Sequence, residues 1–289
     1  MHGLLLHNGE IREAGDRILS PGQVVLLNGW GVFSTLRVYD GVLFAWEHHW
    51  ARMQQDAARM RVPFPREAGW LEEQLHRLVE ANRAWNSTLR VVVIRNRGGI
   101  WEGPAATREF DVVAFTADLN QWSPAVKLGV VPHARHAARE FAGTKYMSWA
   151  ENLVWYERAH ERVLDEVVLL NERGEVAECT SANLFVAEGG RAWTPPLASG
   201  CLPGVTRALL LEEIRVPGIA VGEKTLLPGD LETAGEVFIT STTRGLLPVV
   251  SIEGLSVLRS GDVRQRLEQA FQTYVSSYVS ARRRPVAAL

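Results

Sequence analysis

The sequence is poor in cysteine and carries no excess of charge of either sign. Its 289 residues include only two cysteines, Cys179 and Cys201, which are too few for a disulfide framework and are typical of a reducing compartment. A formal net charge of -2 provides no field that would attract nucleic acid or an acidic membrane surface. The composition therefore favours a cytoplasmic protein without either kind of partner.

Long apolar runs are also missing. The start of the chain has a run of three leucines before polar residues, which is shorter than the apolar region of a signal peptide. Nowhere do about 18 apolar residues follow one another, so we expect no membrane-spanning helix. What is present is an ordinary globular composition, 46% hydrophobic and 22% charged, in a chain long enough for two domains.

The first part of the chain alternates between strand and helix patterns. Asp40 and Gly41 separate two apolar runs and predict a tight hairpin, because this pair accepts the positive φ angles of a type I′ turn. The predicted elements are short strands within 4–44, helices over 47–60 and 65–84, and strands over 89–94 and 112–116. These patterns indicate an α+β domain over residues 1–117.

A polar segment with a proline, residues 118–125, is typical of a connector between domains. Strand and helix patterns alternate again beyond it. They predict strands over 126–132, 166–171, 175–178, 183–187 and 237–240, and helices over 149–164, 206–214 and 262–282. We expect residues 126–289 to form a second, larger mixed domain.

Three segments of this second half carry residues that suit a ligand. In ECTSANLF, Glu178 and Asn183 flank small hydroxyl residues, which could equally form a turn between strands. In TPPLASGCLPGVTR, a glycine- and proline-bearing loop brings Val205 and Thr206 to a helix start, where free N–H groups suit a phosphate or Thr206 is simply the N-cap. In EVFITSTTRG, hydroxyl residues 240–243 follow a strand and suit an oxyanion, or a polar strand end.

Two basic residues complete this set, Arg52 after the hairpin and Lys145 in FAGTKYMSWAEN. In this order the residues resemble the fold-type IV, or class IV, pyridoxal-phosphate-dependent aminotransferases. That family includes branched-chain aminotransferases, D-amino-acid aminotransferases and 4-amino-4-deoxychorismate lyases. The resemblance covers about residues 28–249 and is most specific in GVFSTLRVYDG, EHHWARM, the E-x4-N-L-F run and TPPLASGCLPGVTR.

The resemblance implies a fold and an assembly. The expected fold is α+β, with a smaller N-terminal α/β sandwich-like domain and a larger C-terminal mixed α/β pseudo-barrel domain. The expected assembly is a homodimer in which each chain completes the pocket of its partner.

The resemblance also implies a site for pyridoxal 5′-phosphate. Lys145 matches the lysine that forms a Schiff base with the cofactor aldehyde, Glu178 matches the carboxylate that pairs with the pyridine nitrogen, and Arg52 matches the phosphate-binding arginine. The other implied cofactor-binding residues are Leu202, Val205, Thr206, Ser241 and Thr242. The implied activity transfers an amino group between an amino acid and a 2-oxo acid, and Lys145 also moves the proton.

The substrate positions depart from each branch of the family. After Arg97 and Gly98 the chain reads GIWEGP, whereas D-amino-acid aminotransferases carry an arginine and a histidine there and the lyases usually have RGY. Ala150 stands where branched-chain enzymes have a tyrosine. The alternative function is therefore a 4-amino-4-deoxychorismate lyase that releases pyruvate and 4-aminobenzoate, and a binding protein without catalysis is a third. Candidate substrate residues, which core packing or surface ion pairs would equally explain, are Phe33, Arg37, Arg97, Trp101 and Thr243.

The histidines do not form a pattern of metal ligands. His133 and His136 have a suitable spacing, but no cysteine or acidic residue accompanies them in sequence. We therefore expect no metal site.

Overall fold

The computed structural model describes residues 1–100, 103, 107–257 and 261–283. The chain divides into two compact units. Unit 1 comprises Met1–Asn120, Thr144–Trp149 and Val275–Leu289, and unit 2 comprises Gln121–Gly143 and Ala150–Tyr274. Unlike a split into 1–117 and 126–289, this division places residues 144–149 and the chain end in unit 1. Whether either predicted domain folds independently stays a prediction.

Unit 1 is built on a six-stranded antiparallel sheet. Its strands are β1 (Leu4–His7), β2 (Glu10–Glu13), β3 (Gly31–Tyr39), β4 (Val42–Leu43), β5 (Ser87–Arg95) and β6 (Phe110–Ala117), in the order β2-β1-β6-β5-β3-β4. The predicted tight turn joins β3 to β4, since Asp40 and Gly41 have φ angles of 46° and 83°. The Asp-Gly prediction is confirmed.

Three helices accompany this sheet, namely α1 (Val24–Asn28), α2 (Trp46–Arg59) and α3 (Ala68–Ala81). Met53 of α2 and Leu75 of α3 are fully buried against Leu36 of β3 in the main apolar core of the unit. This burial follows the helical spacing of the apolar residues. The core lies on one face of the sheet, so the other face is free to carry polar and aromatic groups.

Unit 2 contains an eight-stranded mixed sheet that curls into a half-barrel. Its strands are β7 (Val126–Val131), β8 (Glu166–Leu170), β9 (Val176–Cys179), β10 (Asn183–Glu188), β11 (Arg191–Thr194), β12 (Ala220–Glu223), β13 (Glu236–Ser241) and β14 (Gly245–Ile252), in the order β12-β11-β10-β13-β14-β7-β8-β9. Parallel pairing joins β11 to β12, β14 to β7 and β7 to β8. The two-sheet fold confirms the predicted fold class.

The helices of this half are α4 (Ala150–Glu161), α5 (Val205–Glu212), α6 (Pro228–Thr233) and α7 (Val263–Arg282), with a 3-10 turn at Leu197–Ser199. Helix α7 begins in unit 2 and ends in unit 1. Among the described residues, no helix combines the length and the apolarity needed to cross a bilayer.

Several short elements were not predicted, namely α1, α6, β11, β12 and β14. Helix α1 has five residues, too few for a helical period to show. Strand β14 contains Pro248, which is paired opposite Phe238 although proline argues against a strand in a sequence pattern.

Candidate active site

Lys145 belongs to a segment that is attached to the edge of β3. The Phe33 N–H donates to the Lys145 carbonyl at 3.2 Å, and the Met147 N–H donates to the Gly31 carbonyl at 2.9 Å. Tyr146 forms an antiparallel bridge with Val32 between these two bonds. The segment therefore acts as a short additional strand, and its backbone is fixed by the sheet.

The Lys145 ammonium lies over aromatic rings. Its Nζ is 4.6 Å from the ring centroid of Phe33 and 5.6 Å from that of Trp149. Ring faces attract a cation, so the two rings contribute to the position of the amine. Phe33, one of the residues predicted from sequence for the substrate, is buried and lies directly beside this amine.

Arg52 is buried on α2, so the alternative of an exposed helical arginine is wrong. Its Nη2 donates to Ser34 Oγ at 2.7 Å, while its buried Nε has no partner in the described chain. Burial lowers the pKa of Arg52, and the nearby Asp56 partly offsets this effect. Asp56 also accepts the Lys145 N–H at 3.3 Å, so α2 contacts the lysine segment.

His49 lies in the same buried cluster as Arg52 and Ser34. Ser34 Oγ accepts from Arg52 and lies 2.7 Å from His49 Nδ1, so the hydroxyl bridges the two side chains. Burial, followed by the positive charge of Arg52, lowers the pKa of His49 well below its ordinary value. His49 thus helps to hold Ser34 beside Arg52.

A second buried cation, Arg90, was missed in the sequence. It lies opposite Thr35 in the β3–β5 pairing, which puts it on the same sheet face as Phe33. Its guanidinium is 4.8 Å from the Phe33 ring centroid, its Nε donates to Thr35 Oγ1 at 3.2 Å, and burial lowers its pKa. No carboxylate pairs with it in the described parts of the chain. The register of two neighbouring strands, which sequence alone did not supply, would have revealed it.

The other predicted substrate residues of this half lie in different settings. Arg37 shares the face of Phe33, stacks at 4.2 Å on the Tyr39 ring and donates to the Ser87 carbonyl at 3.3 Å. Arg97 is exposed and pairs with Glu109 at 3.3 Å, which favours a surface ion pair. Trp101 lies outside the described residues.

In unit 2, Glu178 at the end of β9 is held at both carboxylate oxygens. Oε1 accepts from Arg135 Nε at 3.0 Å, and Oε2 accepts from the Leu202 N–H at 2.9 Å. Arg135 is itself oriented by Asn152, whose Oδ1 accepts from Nη2 at 3.1 Å. Sequence reasoning missed Arg135, because it lies 43 positions from Glu178 and no local pattern connects them. The carboxylate has a fixed orientation as a result.

Asn183, five residues after Glu178, bonds the same loop residue as Glu178 does. Its Nδ2 donates to the Leu202 carbonyl at 2.9 Å, so Leu202 is held through its N–H by Glu178 and through its carbonyl by Asn183. A Cβ on Gly204 would lie 2.0 Å from Asn183 Oδ1. Glycine is therefore required where the loop passes the asparagine.

The loop ends at the start of α5, where Gly204 is the N-cap and provides no side-chain hydrogen bond. The alternative in which Thr206 caps this helix is therefore wrong. Thr206 Oγ1 is buried and has no partner among the described residues. The N–H groups of a helix start, with Val205 and Thr206 in its first turn, suit an anion.

The hydroxyl segment lies where β13 turns into β14. Ser241 pairs with Gly245, and Thr242 and Thr243 form the turn. Thr240 is buried, and its Oγ1 has no partner in the described chain. Within the same described ranges, no group of three or more His, Cys, Asp or Glu side chains could hold a metal ion.

The residues that the family resemblance selects are thus built into two arrangements, a lysine with a buried arginine in unit 1 and a fixed carboxylate with an uncapped helix start in unit 2. The family model for class IV amino-transferases matches residues 31–252. The chain belongs to the class IV aminotransferase family. Enzymes of this family use pyridoxal phosphate.

Relatives within the family differ in substrate. A D-alanine aminotransferase of Bacillus licheniformis is 28% identical over 276 residues, 94% of this chain and 97% of its own length. The branched-chain amino acid aminotransferase of Escherichia coli is 26% identical with a TM-score of 0.86, covering 96% of each chain. A candidate 4-amino-4-deoxychorismate lyase of Legionella pneumophila, 22% identical with a TM-score of 0.82 over 90% of this chain and 96% of its own, shares the fold. Family membership therefore leaves the substrate open.

Proposed function

We propose that this class IV protein is a pyridoxal-phosphate-dependent aminotransferase that moves an amino group between an amino acid and a 2-oxo acid. The observation that supports this most directly is Lys145, whose backbone is fixed to β3 and whose amine lies over Phe33 and Trp149. A lysine held in this way has the defined position that attachment of a cofactor aldehyde requires.

Both units retain hydrogen-bonding capacity that fits the cofactor. Arg52 Nε and Thr206 Oγ1 are buried and lack a partner within the described chain. The residues proposed to hold the cofactor are Arg52, Lys145, Glu178, Leu202, Val205, Thr206, Ser241 and Thr242. When bound, pyridoxal phosphate supplies an electron-withdrawing ring that stabilises negative charge at the α-carbon of the substrate.

Each protein group then has a stated task. Lys145 Nζ would hold the cofactor, and its amine would serve as the base that moves the proton of the substrate α-carbon. Glu178, oriented by Arg135 and the Leu202 N–H, keeps the ring nitrogen protonated. Arg52 binds the phosphate through a guanidinium that Ser34 orients.

Arg90 gives the proposal a substrate class. A half-buried guanidinium with no carboxylate partner in the described chain is costly unless a ligand pairs with it. It lies over the same Phe33 ring as the Lys145 amine. We therefore expect one of the two substrates to carry a second carboxylate, as glutamate and 2-oxoglutarate do.

The cofactor test compares two lysine variants. After unbound pyridoxal phosphate is removed, the purified protein should show the visible absorbance band of a Schiff base, which Lys145→Ala abolishes even where it still binds the cofactor. Lys127→Ala, which alters an exposed lysine of β7, should leave the band unchanged. A protein without any band, or a band that survives Lys145→Ala, would contradict the proposed function.

The reaction test separates aminotransferase from lyase. Amino-group transfer is measured for a panel of amino acids with 2-oxoglutarate or pyruvate as acceptor, and pyruvate release is measured from aminodeoxychorismate without an acceptor. Arg90→Met should raise the KM for 2-oxoglutarate at least tenfold, roughly the effect of one charged hydrogen bond, and change that for pyruvate little. Pyruvate release without transfer would show the lyase instead.

We also propose that the chain acts as a homodimer, as the resemblance implies. Sedimentation velocity at assay concentrations should give the mass of two chains. A fully active monomer would contradict this proposal.

A further inference from the structure

Asp56 is a buried carboxylate between two of the basic residues that are proposed to bind the cofactor. It lies on α2, one helical turn after Arg52 and on the same face, and it is 3% exposed. Its Oδ2 accepts the Lys145 N–H at 3.3 Å. Because an ionised carboxylate can accept about four hydrogen bonds, this single long bond within the described chain leaves Asp56 poorly solvated.

The charges around Asp56 come from α2 and from the lysine segment. Burial raises the pKa of its carboxyl, whereas the positive charges of Arg52, Arg59 and Lys145 lower it. Burial also lowers the pKa of Arg52, and Asp56 partly offsets that effect. Asp56 therefore acts as an internal counter-ion that makes the buried charge of Arg52 less costly.

The same place has buried hydrogen-bonding groups that the fold leaves unused. Arg52 Nε, His49 Nε2 and Thr144 Oγ1 are buried and have no partner in the described parts of the chain. Thr144 directly precedes Lys145, whose N–H is bonded to Asp56. Buried donors without a partner are costly, and an anion would satisfy them.

A phosphate group at Arg52 changes the balance of charge around Asp56. It brings up to about two negative charges to a buried place where the carboxylate already carries one. The single positive charge of Arg52 cannot neutralise both anions. Like charges at close range raise the pKa of a carboxyl group, so protonation of Asp56 is the change that removes the excess.

We propose that Asp56 balances the charge of Arg52 in the free protein and takes up one proton from the solvent when a phosphate group binds at Arg52. The neutral carboxyl still accepts the Lys145 N–H, and its new O–H is a donor that suits an anion. That the anion is the cofactor phosphate rests on the proposed function. The anion site and its proton do not require any reaction at Lys145.

Sulfate is the probe, because it is a dianion of similar size to phosphate and does not itself titrate between about pH 5 and 8. Its binding to the full chain, freed of cofactor, is measured by calorimetric titration across this range. The association constant should fall by up to about tenfold per pH unit as the pH rises, since each bound ion brings one proton with it. A constant that does not change with pH would overturn the proposal.

Arg52→Gln locates the ion. This substitution removes the guanidinium and should abolish the pH-dependent binding of sulfate. Binding that persists with the same pH dependence would place the ion elsewhere and overturn the site.

The role of Asp56 is tested with two matched substitutions of buried carboxylates. Asp56→Asn keeps an acceptor for the Lys145 N–H and carries no charge, so it should bind sulfate about tenfold more tightly at the upper end of the pH range and with little dependence on pH. Asp111→Asn is the control, because it removes another buried carboxylate of unit 1, one that accepts from Asn8 and Gln23 at 2.7 and 2.8 Å. It should keep the pH dependence of the unaltered protein.

His49 is the other group of this cluster that could take up the proton, since burial and Arg52 lower its pKa. His49→Asn should keep the pH dependence of sulfate binding. A dependence that survives Asp56→Asn and disappears in His49→Asn would assign the proton to the histidine and overturn the proposal.

A direct measurement in the unaltered protein covers the case in which Asp56→Asn does not fold. The chain is labelled with carbon-13 aspartate, and the carboxyl resonance of Asp56 is assigned from Asp56→Glu. Saturating sulfate should raise its titration midpoint by about one pH unit or more. A merely structural carboxylate would affect the melting temperature when it is replaced, but its midpoint would not respond to sulfate, and an unchanged midpoint overturns the proposal.

The outcomes for the two proposals are distinguishable. Sulfate binding that depends on Asp56 in a protein without a cofactor band would refute the aminotransferase and keep the anion site. A cofactor band in a protein whose sulfate affinity is independent of pH would do the reverse.

Discussion

At the residue scale, one small side chain, Ser34, orients Arg52, the residue proposed to bind the cofactor phosphate. One hydroxyl accepts from Arg52 and is hydrogen-bonded to His49, so a single oxygen sets the direction of a guanidinium. Neither partner is exposed, and water cannot easily replace the hydroxyl.

Replacing Ser34 with alanine should therefore weaken cofactor affinity roughly five- to tenfold, because Arg52 loses the acceptor that orients it. Equilibrium titration of the apoprotein with pyridoxal phosphate measures the change. Ser87→Ala is the matched control, since it removes another buried serine hydroxyl of the same sheet, one that donates to the Ala84 carbonyl at 2.8 Å. Equal effects of the two substitutions on affinity would contradict the role of Ser34.

His49 gives the protein a specific dependence on pH. Its pKa is lowered in the folded protein by burial and by Arg52, so below about pH 6.5 the unfolded chain binds a proton that the folded chain does not. The contribution of neutral His49 to the free energy of unfolding is fully present above that pH and is lost as the pH falls. Asp56, whose pKa is raised by burial, binds a proton in the folded chain at a higher pH than in the unfolded chain, so it opposes this trend as the pH falls.

We expect the free energy of unfolding to fall by at most about 1.4 kcal/mol per pH unit from this source between pH 6.5 and 5. Urea unfolding at pH 7 and 5.5 measures it. His49→Asn keeps an acceptor for Ser34 and does not titrate in this range, so its stability should depend less on pH. An identical slope in the two proteins would show that other groups are responsible.

At this scale, the sequence identified the residues proposed to hold the cofactor, but it did not identify the residues that contact and orient them. Lys145, Glu178 and Arg52 could be named because their order along the chain resembles a known family. Arg90 and Arg135 could not, since each contacts a partner that is brought near only by strand register or by a loop far along the chain. Only folding brings these pairs together.

At the element scale, the start of β10 and the start of α5 are coupled through one close approach. Asn183 bonds the Leu202 carbonyl and occupies the space beside Gly204. These contacts hold the loop before α5 close to Asn183 and so help to position the N–H groups at the beginning of the helix.

Gly204→Ala should displace Asn183, because the new Cβ would lie 2.0 Å from its Oδ1. We expect a loss of roughly 1–3 kcal/mol in the free energy of unfolding together with weaker cofactor binding. The double variant Asn183→Ala/Gly204→Ala removes the clash and should cost less than the sum of the single variants, as measured in a double-mutant cycle. Strict additivity would show that the two residues do not meet.

At the scale of the whole molecule, neither unit is a continuous stretch of the sequence. Residues 144–149 belong to unit 1, although the residues on either side of them belong to unit 2. Hydropathy patterns predicted most of the longer strands and helices, because these depend on local periodicity. They could not predict that the residues around Lys145 would belong to unit 1 and that Tyr146 would bridge to a sheet whose strands all precede it in the chain.

Cofactor binding should stabilise the entire fold. At a hundredfold excess of free pyridoxal phosphate over its Kd, binding to the folded chain alone adds about 2.7 kcal/mol to the free energy of unfolding. Calorimetry with and without the cofactor measures the rise in melting temperature. Lys145→Ala should keep a smaller part of this rise through the remaining contacts, and Lys127→Ala should keep all of it.

The lysine segment is attached to β3 through its backbone, which bears on how the side chains around Lys145 can change in evolution. The contacts that fix residues 145–147 to the sheet are made by backbone N–H and carbonyl groups of Lys145, Met147 and their partners. Side chains next to the amine can therefore be exchanged while the peptide stays in register. Such an arrangement allows the neighbourhood of one reactive nitrogen to be redesigned for new substrates without rebuilding its support.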